Sequence, residues 1–333
     1  MKQTIDTWSK HAQSTLRLAA CLATLSVVIP DVHASTYPSE AVRIVVPYAA
    51  GGANDTLGRV IAQGLGEVFK QTFYVDNRPG AGQVIGTDYV VRAAPNGSTL
   101  LLGGVTHAIN ASLLSKLPYD SVKSLTPAVV LATSPLVCVT SAAQGIKDMR
   151  SLVRAARENP NKFSYASSGN GAPGHLTVES IKHATGISML HVPYKGASQP
   201  TTDLLSGRVH FYCVSPIPVL PYIKDGSLVA LAVTTSERSP VLPDVPTLRE
   251  TGIDVPDIGT WYALFAPAGT PAEIVEKINE AGRQVLQQPN VQKTLRENGL
   301  TAIGNSRDEA SRYLITEIGK WRSMIHAAGI RPD

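Results

Sequence analysis

The chain has 333 residues, which at about 100–200 residues per domain suggests two domains. Its composition, 43% hydrophobic and 17% charged, can build a packed core and excludes a disordered chain. The net charge is only +4, and no run of Lys or Arg could follow a phosphate backbone, so we expect no nucleic-acid partner.

The amino terminus has the features of a secretory signal peptide. Three basic residues precede an apolar run, Leu18 to Ile29, that is too short to cross a bilayer. Val32-His33-Ala34 resembles an A-x-A-type cleavage site, so we expect residues 1–34 to be removed after Ala34 and the mature protein to be periplasmic. Leu18-Ala19-Ala20-Cys21 also resembles a lipoprotein box. Most of the apolar run follows Cys21, however, whereas a lipobox needs it before the cysteine.

The first part of the mature chain alternates predicted strands and helices. We predict strands at Val42–Tyr48, Phe73–Asp76 and Ser98–Leu102, with one helix opened by Asp55 as its N-cap and another ending near Ala94. Strands that are joined in this way by helical crossovers pair in parallel.

The same order of elements returns later in the chain. Strands are predicted at Phe163–Ser167, Ser188–Tyr194 and Val209–Val214, with a helix from about His175 to Ala184 after the first. The β-rich stretch Ala128–Thr140 would cross from one lobe to the other, and later strands would cross back. We therefore predict an α/β fold with two lobes, each a mostly parallel sheet flanked by helices. Lobe 1 would comprise residues 35–132 with about 230–333, and lobe 2 residues 133–229.

A ligand cleft is expected between these lobes. In open parallel sheets, ligands bind outside the carboxyl ends of the strands, and clefts between domains are a usual place for small molecules. Glycine- and serine-rich loops stand at these strand ends in both halves. Thr106 and His107 follow the third strand and could donate hydrogen bonds into the cleft, and Tyr48 and Trp261 are the aromatic candidates.

The loop Gly169-Asn170-Gly171-Ala172-Pro173-Gly174 matches the G-x-G-x-x-G pattern of dinucleotide sites. The expected acid about 20 residues on is missing, since His191-Val192-Pro193-Tyr194-Lys195 occupies that place. A smaller anion suits the loop better, because a helix amino terminus favours phosphate or carboxylate and Ser167 and Ser168 add hydroxyl groups. The alternative is that Ser168 only caps its helix.

Signals of catalysis and of metal binding are weak. The chain has no G-x-S-x-G, H-E-x-x-H or C-x-x-C motif, and its histidines form no ligand-like cluster. A hydrolase would have to use Ser168 with His175 or His191. We expect no cofactor, no metal and no catalysis. Cys138 and Cys213 are expected to be buried thiols, although an exported protein can also hold a disulfide.

Several motifs together resemble one known family. They are Asn77–Gly82, Gly169–Leu176, His191–Gly196, Pro246–Leu248, Ala266–Pro271 and Trp321–Ile330. With them the chain resembles, from about Tyr37 to Ile330, the receptor family of tripartite tricarboxylate transporters, also called the Bug family. The resemblance implies a type II periplasmic binding protein, whose two lobes close on a small organic acid. Such receptors deliver the ligand to a membrane permease, and some serve a sensor kinase. We expect a monomer.

The resemblance also implies where the ligand binds. In the family the carboxylate is held, partly through water, by the loop after the first strand and by the serine- and glycine-rich loop of the second lobe. The candidate ligand-binding residues are Tyr48, Ala49, Ala50, Asn54, Asp55, Thr106, His107, Ser167, Ser168, Gly171, Ala172 and Ser215.

The chain departs from the family pattern at three places. Members commonly have Pro-Gly where Ala49-Ala50 stands, and often Gly where Gln83 stands. An Asp is common after the strand at Val209, where this chain has Cys213-Val214-Ser215. Without that carboxylate an amino acid is a poorer ligand, because its ammonium group would lack a partner. A plain dicarboxylate or an aromatic carboxylate is favoured instead.

Overall fold

The structure is a computed structural model that describes residues 37–160 and 162–327. The predicted signal peptide and its cleavage after Ala34 lie outside the described residues. From Tyr37 onward the chain forms one structural unit that contains two mixed β-sheets flanked by helices.

The first sheet has six strands in the order β11-β4-β10-β3-β1-β2. Strands β1, β2 and β3 pair in parallel, so the predicted β-α-β-α-β order is confirmed, whereas β4, β10 and β11 pair antiparallel. The strands are β1 (Val42–Val46), β2 (Phe73–Asn77), β3 (Thr99–Gly104), β4 (Leu125–Pro135), β10 (Gly259–Pro267) and β11 (Thr301–Ala302).

Helices cover both faces of this sheet. In the first of them Leu57, Ile61 and Leu65 recur at helical spacing and are fully buried, which fixes the face that packs on the sheet. Gly52 is its N-cap and Asp55 lies in its first turn, so the predicted start at Asp55 was three residues late. The helices are α1 (Ala53–Phe69), α2 (Val84–Val91), α3 (Val105–Leu113), α8 (Ala272–Gln287), α9 (Pro289–Glu297) and α10 (Arg307–Ala327).

The second sheet has five strands in the order β7-β6-β8-β5-β9. Strand β6 pairs in parallel with β7 and with β8, as the sequence predicts, and β5 pairs antiparallel with β8 and β9. Its elements are β5 (Val137–Ser141), α4 (Met149–Glu158), β6 (Ser164–Ser167), α5 (Pro173–Thr185), β7 (Leu190–Pro193), α6 (Ser198–Leu205), β8 (Phe211–Val214), α7 (Leu220–Lys224) and β9 (Leu228–Val233).

The chain passes between the sheets at two places that are hydrogen-bonded to each other. Leu136 separates β4 of the first sheet from β5 of the second, and its N–H donates to Thr234 Oγ1 at 3.0 Å. Thr234 follows β9 on the return path, and the Ile258 N–H donates to its carbonyl at 3.1 Å, just before β10. The predicted lobe boundary near residue 230 falls inside β9, a strand of the second sheet.

Cys138 and Cys213 form a disulfide, so the expectation of two free thiols was wrong. The antiparallel pairing of β5 with β8 places the two residues directly opposite each other. Both side chains are buried in the core on one face of the second sheet. The bond therefore fixes the register of two strands that are 75 residues apart in the chain.

Candidate functional site

A cleft lies between the two sheets, at the carboxyl ends of their parallel strands. It consists of two adjoining cavities with volumes of about 50 and 260 Å³. Tyr48, which follows β1, and Ser168, which follows β6, line both cavities. We call the smaller one the inner cavity and the larger one the outer cavity.

The inner cavity is lined by small, apolar and neutral polar groups. Ser168, Ser215 and Thr260 bring hydroxyl groups to it, and Tyr262 brings its ring. None of its lining side chains is charged. They belong to Tyr48, Ala49, Gly52, Ala53, Asn54, Leu136, Ser168, Pro173, Gly174, Ala197, Cys213, Val214, Ser215, Thr260 and Tyr262.

The first turn of α5 forms part of the inner cavity. Its N-cap, Ala172, has no side chain that could cap the helix, and Pro173 occupies the first helical position. Gly174 must be glycine, because an added Cβ would lie 2.0 Å from the carbonyl oxygen of Cys213. The helix thereby brings an uncapped, partially positive end against the cavity.

Tyr48 organises the junction between the two cavities. Its hydroxyl lies 3.0 Å from Thr106 Oγ1 and accepts a hydrogen bond from the Gln83 side chain. Asn77 Nδ2 donates to its carbonyl at 3.0 Å and so ties the loop to the end of β2. Burial raises the pKa of the Tyr48 phenol to about 12, so this group stays neutral and can act as a donor.

Asp55 lies outside the cavity lining. Its carboxylate forms an ion pair with Arg59 at 3.0 Å and accepts a hydrogen bond from the Gly51 N–H at 3.0 Å. Burial acts to raise the pKa of Asp55, but the hydrogen bonds from Arg59 and Gly51 outweigh it, so the pKa is lowered. Arg59 of the same helix thus neutralises the Asp55 carboxylate. The hydrogen bond from the Gly51 N–H to this carboxylate fixes the loop after β1.

His107 also lies away from the cleft. It is 1% exposed, its Nε2 lies 2.8 Å from the Ser121 carbonyl oxygen, and its ring stacks on Tyr119. Burial lowers the pKa of this imidazole. The His107 side chain thus connects α3 to the segment around Ser121. Thr106, one residue earlier, lines the outer cavity.

A buried serine and a half-buried histidine form a pair behind the loop that follows β6. Ser167 Oγ is 2.6 Å from His191 Nε2, and the ring of His191 stacks on that of His175 with the centroids 4.1 Å apart. His175 Nδ1 accepts a hydrogen bond from the Gly171 N–H at 3.2 Å. Ser167 is fully buried and lines neither cavity, so this pair braces the loop and does not face a substrate.

The sequence-predicted site residues thus fall into two groups. Ala50, Asp55, His107, Ser167 and Gly171 lie behind or beside the cavity lining. The lining includes the other seven, namely Tyr48, Ala49, Asn54, Thr106, Ser168, Ala172 and Ser215.

Four further residues line the cleft that no sequence pattern predicted, namely Gln83, Lys195, Thr260 and Tyr262. Strand alternation could have selected Tyr262, because its neighbour Trp261 faces the other way and donates to Glu317 at 2.9 Å. Trp261, which was expected near the cleft, lines neither cavity.

Other kinds of site are not seen in the described part of the chain. Residues 37–160 and 162–327 contain no group of three or more His, Cys, Asp or Glu side chains that could hold a metal ion. Over the same residues, no helix has the length and apolar character needed to cross a membrane.

Two mixed β-sheets flanked by helices are separated by a cleft and joined by two hydrogen-bonded connecting segments. This arrangement defines a periplasmic-binding-protein fold. The model of the tripartite tricarboxylate transporter family receptor matches residues 57–330, and the chain belongs to this family of periplasmic solute-binding proteins. Protein BugT of Bordetella pertussis is 32% identical over 312 residues, which are 93% of this chain and 95% of BugT.

Two solved structures extend the comparison. The structure of the periplasmic binding protein BugD is 31% identical with a TM-score of 0.85, over 89% of this chain and 99% of BugD. The structure of Rpa4515 of R. palustris with adipate is 34% identical with a TM-score of 0.86, over 89% of this chain and the whole of that one.

Proposed function

We propose that this protein captures a small organic carboxylate in the cleft and delivers it to the membrane permease of a tripartite tricarboxylate-type transporter. One observation carries the proposal most directly: no acidic side chain lines either cavity. An anion entering the cleft meets hydroxyl groups, a neutral phenol and the uncapped amino terminus of α5. The similar protein Rpa4515 was solved with adipate, a dicarboxylate.

The carboxylate is proposed to lie between the loops after β1 and β6. Ser168 is the central residue of this site, because it lines both cavities. It is not the helix cap that the sequence allowed as an alternative, since the N-cap of α5 is Ala172, four residues later. Backbone donors of the two loops complete the site. Asp55, His107 and Ser167 are assigned supporting roles, through the contacts described above.

Export to the periplasm and action as a monomer are parts of the same proposal. The family contains periplasmic receptors, and the predicted signal peptide would supply the export. A sensor kinase as the recipient would use the same cleft with a different docking partner. A hydrolase that uses Ser168 with His175 or His191 is disfavoured, because His191 Nε2 lies 2.6 Å from Ser167 Oγ and His175 Nδ1 accepts the Gly171 N–H, while Ser167 itself is buried and lines neither cavity.

A ligand screen tests the binding function. A ligand that binds only the native state raises the melting temperature, by an amount that grows with its concentration over Kd. Aliphatic mono-, di- and tricarboxylates and aromatic carboxylates should be screened by thermal shift, and hits measured by calorimetric titration. We expect at least one acid to bind with 1:1 stoichiometry. If no carboxylate shifts the melt or gives heat, the proposed function is wrong.

A further inference from the structure

We propose that Lys195 binds a second anionic group at the far end of the ligand, so that the receptor prefers dicarboxylates over monocarboxylates of equal length. This inference rests on the proposed function and specifies the ligand of the same site. Lys195 would distinguish ligands by their charge, while Ser168 and the first turn of α5 hold the first carboxylate.

Lys195 is the single charged side chain among the described residues that line the two cavities. It lines the outer cavity and not the inner one. The two cavities meet at Tyr48 and Ser168, so a ligand anchored there can extend into the outer cavity, where Lys195 forms part of the lining. The positive charge of the cleft therefore lies on the side of the outer cavity, and the described lining of the inner cavity has none.

The ammonium group of Lys195 has no ion-pair partner within residues 37–160 and 162–327. The nearest carboxylate that follows Lys195 in the chain, Asp203, already has hydrogen-bond and ion-pair partners. It accepts a hydrogen bond from the Tyr194 hydroxyl at 2.8 Å and pairs with Arg208 at 3.0 Å. Asp55, in the first turn of α1 and outside the cavity lining, is neutralised by Arg59. A ligand anion would thus meet an uncompensated positive charge.

The backbone on both sides of Lys195 is held in place. The Tyr194 N–H donates to the Ser167 carbonyl at 3.0 Å, which ties the segment to β6. Ser198 Oγ donates to the Ala50 carbonyl at 3.3 Å, which ties it to the loop after β1 of the first sheet. The flexible four-carbon stem of the lysine therefore starts from a fixed point at the cleft and can follow ligands of different length.

The size of the effect follows from the exposure of the side chain. Lys195 is exposed, so solvent and salt screen its attraction for an anion. We expect its charge to contribute about two- to fivefold to the affinity for a dicarboxylate and to leave a monocarboxylate unaffected. The advantage of the dicarboxylate should shrink as ionic strength rises.

The test uses matched pairs of acids: butanedioate with butanoate, pentanedioate with pentanoate, and hexanedioate with hexanoate. Each is titrated calorimetrically at neutral pH into the parent, into Lys195→Gln and into Lys147→Gln. Lys147 is an exposed lysine that lines neither cavity, so its variant controls for the loss of one positive charge.

We expect the parent to bind at least one diacid more tightly than its monoacid, Lys195→Gln to lose most of that difference, and Lys147→Gln to keep it. Equal losses for both members of a pair, no loss in Lys195→Gln, or no binding of any of the six acids would each overturn the role of Lys195. The proposed function would survive the last outcome if another carboxylate from the wider screen binds, and it fails only if none does.

Discussion

The hydroxyl of Tyr48 lies 3.0 Å from Thr106 Oγ1, and this contact joins the end of β1 to the first turn of α3 inside the cleft. The Gln83 amide donates to the same hydroxyl, so the segments that follow β1, β2 and β3 meet at one phenol. Because burial raises its pKa to about 12, the group does not ionise under physiological conditions. The network therefore presents neutral polar groups to a ligand.

Removing this hydroxyl with Tyr48→Phe should weaken carboxylate binding about tenfold, since the Gln83 amide and the Thr106 hydroxyl lose their common partner. The free energy of unfolding should fall by about 1 kcal/mol, the usual net value of one hydrogen bond. Calorimetry with the best acid and a denaturant titration of the apo variant measure the two effects. Binding by the Lys195→Gln variant should also stay constant up to about pH 10, because the Tyr48 phenol remains protonated there and no other described side chain that lines the cleft titrates below that pH. Loss of affinity between pH 8 and 10 would contradict this account.

Ser168→Ala should lower the affinity for the carboxylate about tenfold to a hundredfold. A charge-assisted hydrogen bond contributes about 1.5–3 kcal/mol, and each 1.4 kcal/mol is a factor of about ten in Kd. The melting temperature of the apo protein should hardly change, because Ser168 is not the N-cap of α5. Ser180→Ala, which removes a hydroxyl outside the cleft, is the control. If Ser168→Ala binds as tightly as the parent, the carboxylate lies elsewhere in the cleft.

The Cys138–Cys213 disulfide should stabilise the protein by about 2–4 kcal/mol, because it closes a loop of 75 residues and restricts the unfolded chain. The double variant Cys138→Ala/Cys213→Ala should unfold at lower denaturant concentration. A reductant should destabilise the parent and leave the double variant unchanged. Thiol counting on the denatured, unreduced mature protein should find no free thiol, and finding two would contradict the bond.

The parallel pairing within both sheets could be predicted because short apolar strands alternate with helical stretches, and several of these strands are followed by a glycine-rich loop. That pattern also places Tyr48 and Ser168 at strand ends, and both line the cleft. It cannot distinguish neighbours within a helical turn. Thr106 and His107 are both polar and adjacent, yet only Thr106 reaches the cavity, because the two side chains project from different sides of α3.

Features that depend on the pairing of antiparallel strands far apart in the chain could not be predicted from the sequence. Tyr262 reaches the cleft on β10, more than 200 residues after β1, and its register on β3 decides which side chain faces the cavity. The disulfide likewise depends on the register of β5 on β8, which no local pattern specifies. Asp55 was expected in the site because the family resemblance implies that the loop from Tyr48 to Asp55 binds the ligand. Its ion pair with Arg59 is only one of the pairings that the i, i+4 spacing allows.

The stability of the protein should fall as the pH drops from about 6.5 to 4, in part because of His191. Burial, together with the nearby His175, lowers the pKa of His191 from 6.5 to about 4. The unfolded chain therefore binds a proton at higher pH than the folded chain does, and unfolding is favoured in that window. Glu179, Lys182 and Tyr165 are the other titratable groups around this ring.

His191→Gln should take up roughly one proton fewer on unfolding between pH 4 and 6.5, so its stability should depend less steeply on pH. Burial also lowers the pKa values of His107 and His210, and these residues leave part of the dependence in place. Denaturant titrations at several pH values measure the slope. An unchanged slope in the variant would show that His191 titrates normally in the folded protein.

A negative charge at the N-cap of α5 should weaken carboxylate binding at least about tenfold more than a neutral side chain of the same size. Gly171 is unsuitable for this test, because its φ is +71° and an added Cβ would lie 2.3 Å from Leu113 Cδ2. Ala172 is better placed: it is the N-cap of α5, its backbone is extended, and it lines the outer cavity. Asp and Asn are both good N-caps, so either side chain can accept the free N–H groups of the helix.

Ala172→Asp and Ala172→Asn therefore form a matched pair that differs by one charge. Both should unfold at nearly the same denaturant concentration as each other, because Ala172 is 3% exposed, the two side chains add nearly the same volume, and capping offsets about 1 kcal/mol of that packing cost in each. Both also compete with the ligand for the helix N–H groups, so each should bind more weakly. The Asp variant should lose at least a further tenfold in affinity, because its carboxylate repels that of the ligand across a short distance. Calorimetric titration beside a melt of each apo variant separates the two effects. Equal affinities of the Asp and Asn variants would mean that the ligand carboxylate does not lie at this helix terminus, and the loop from Tyr48 to Asp55 would then be the place to test.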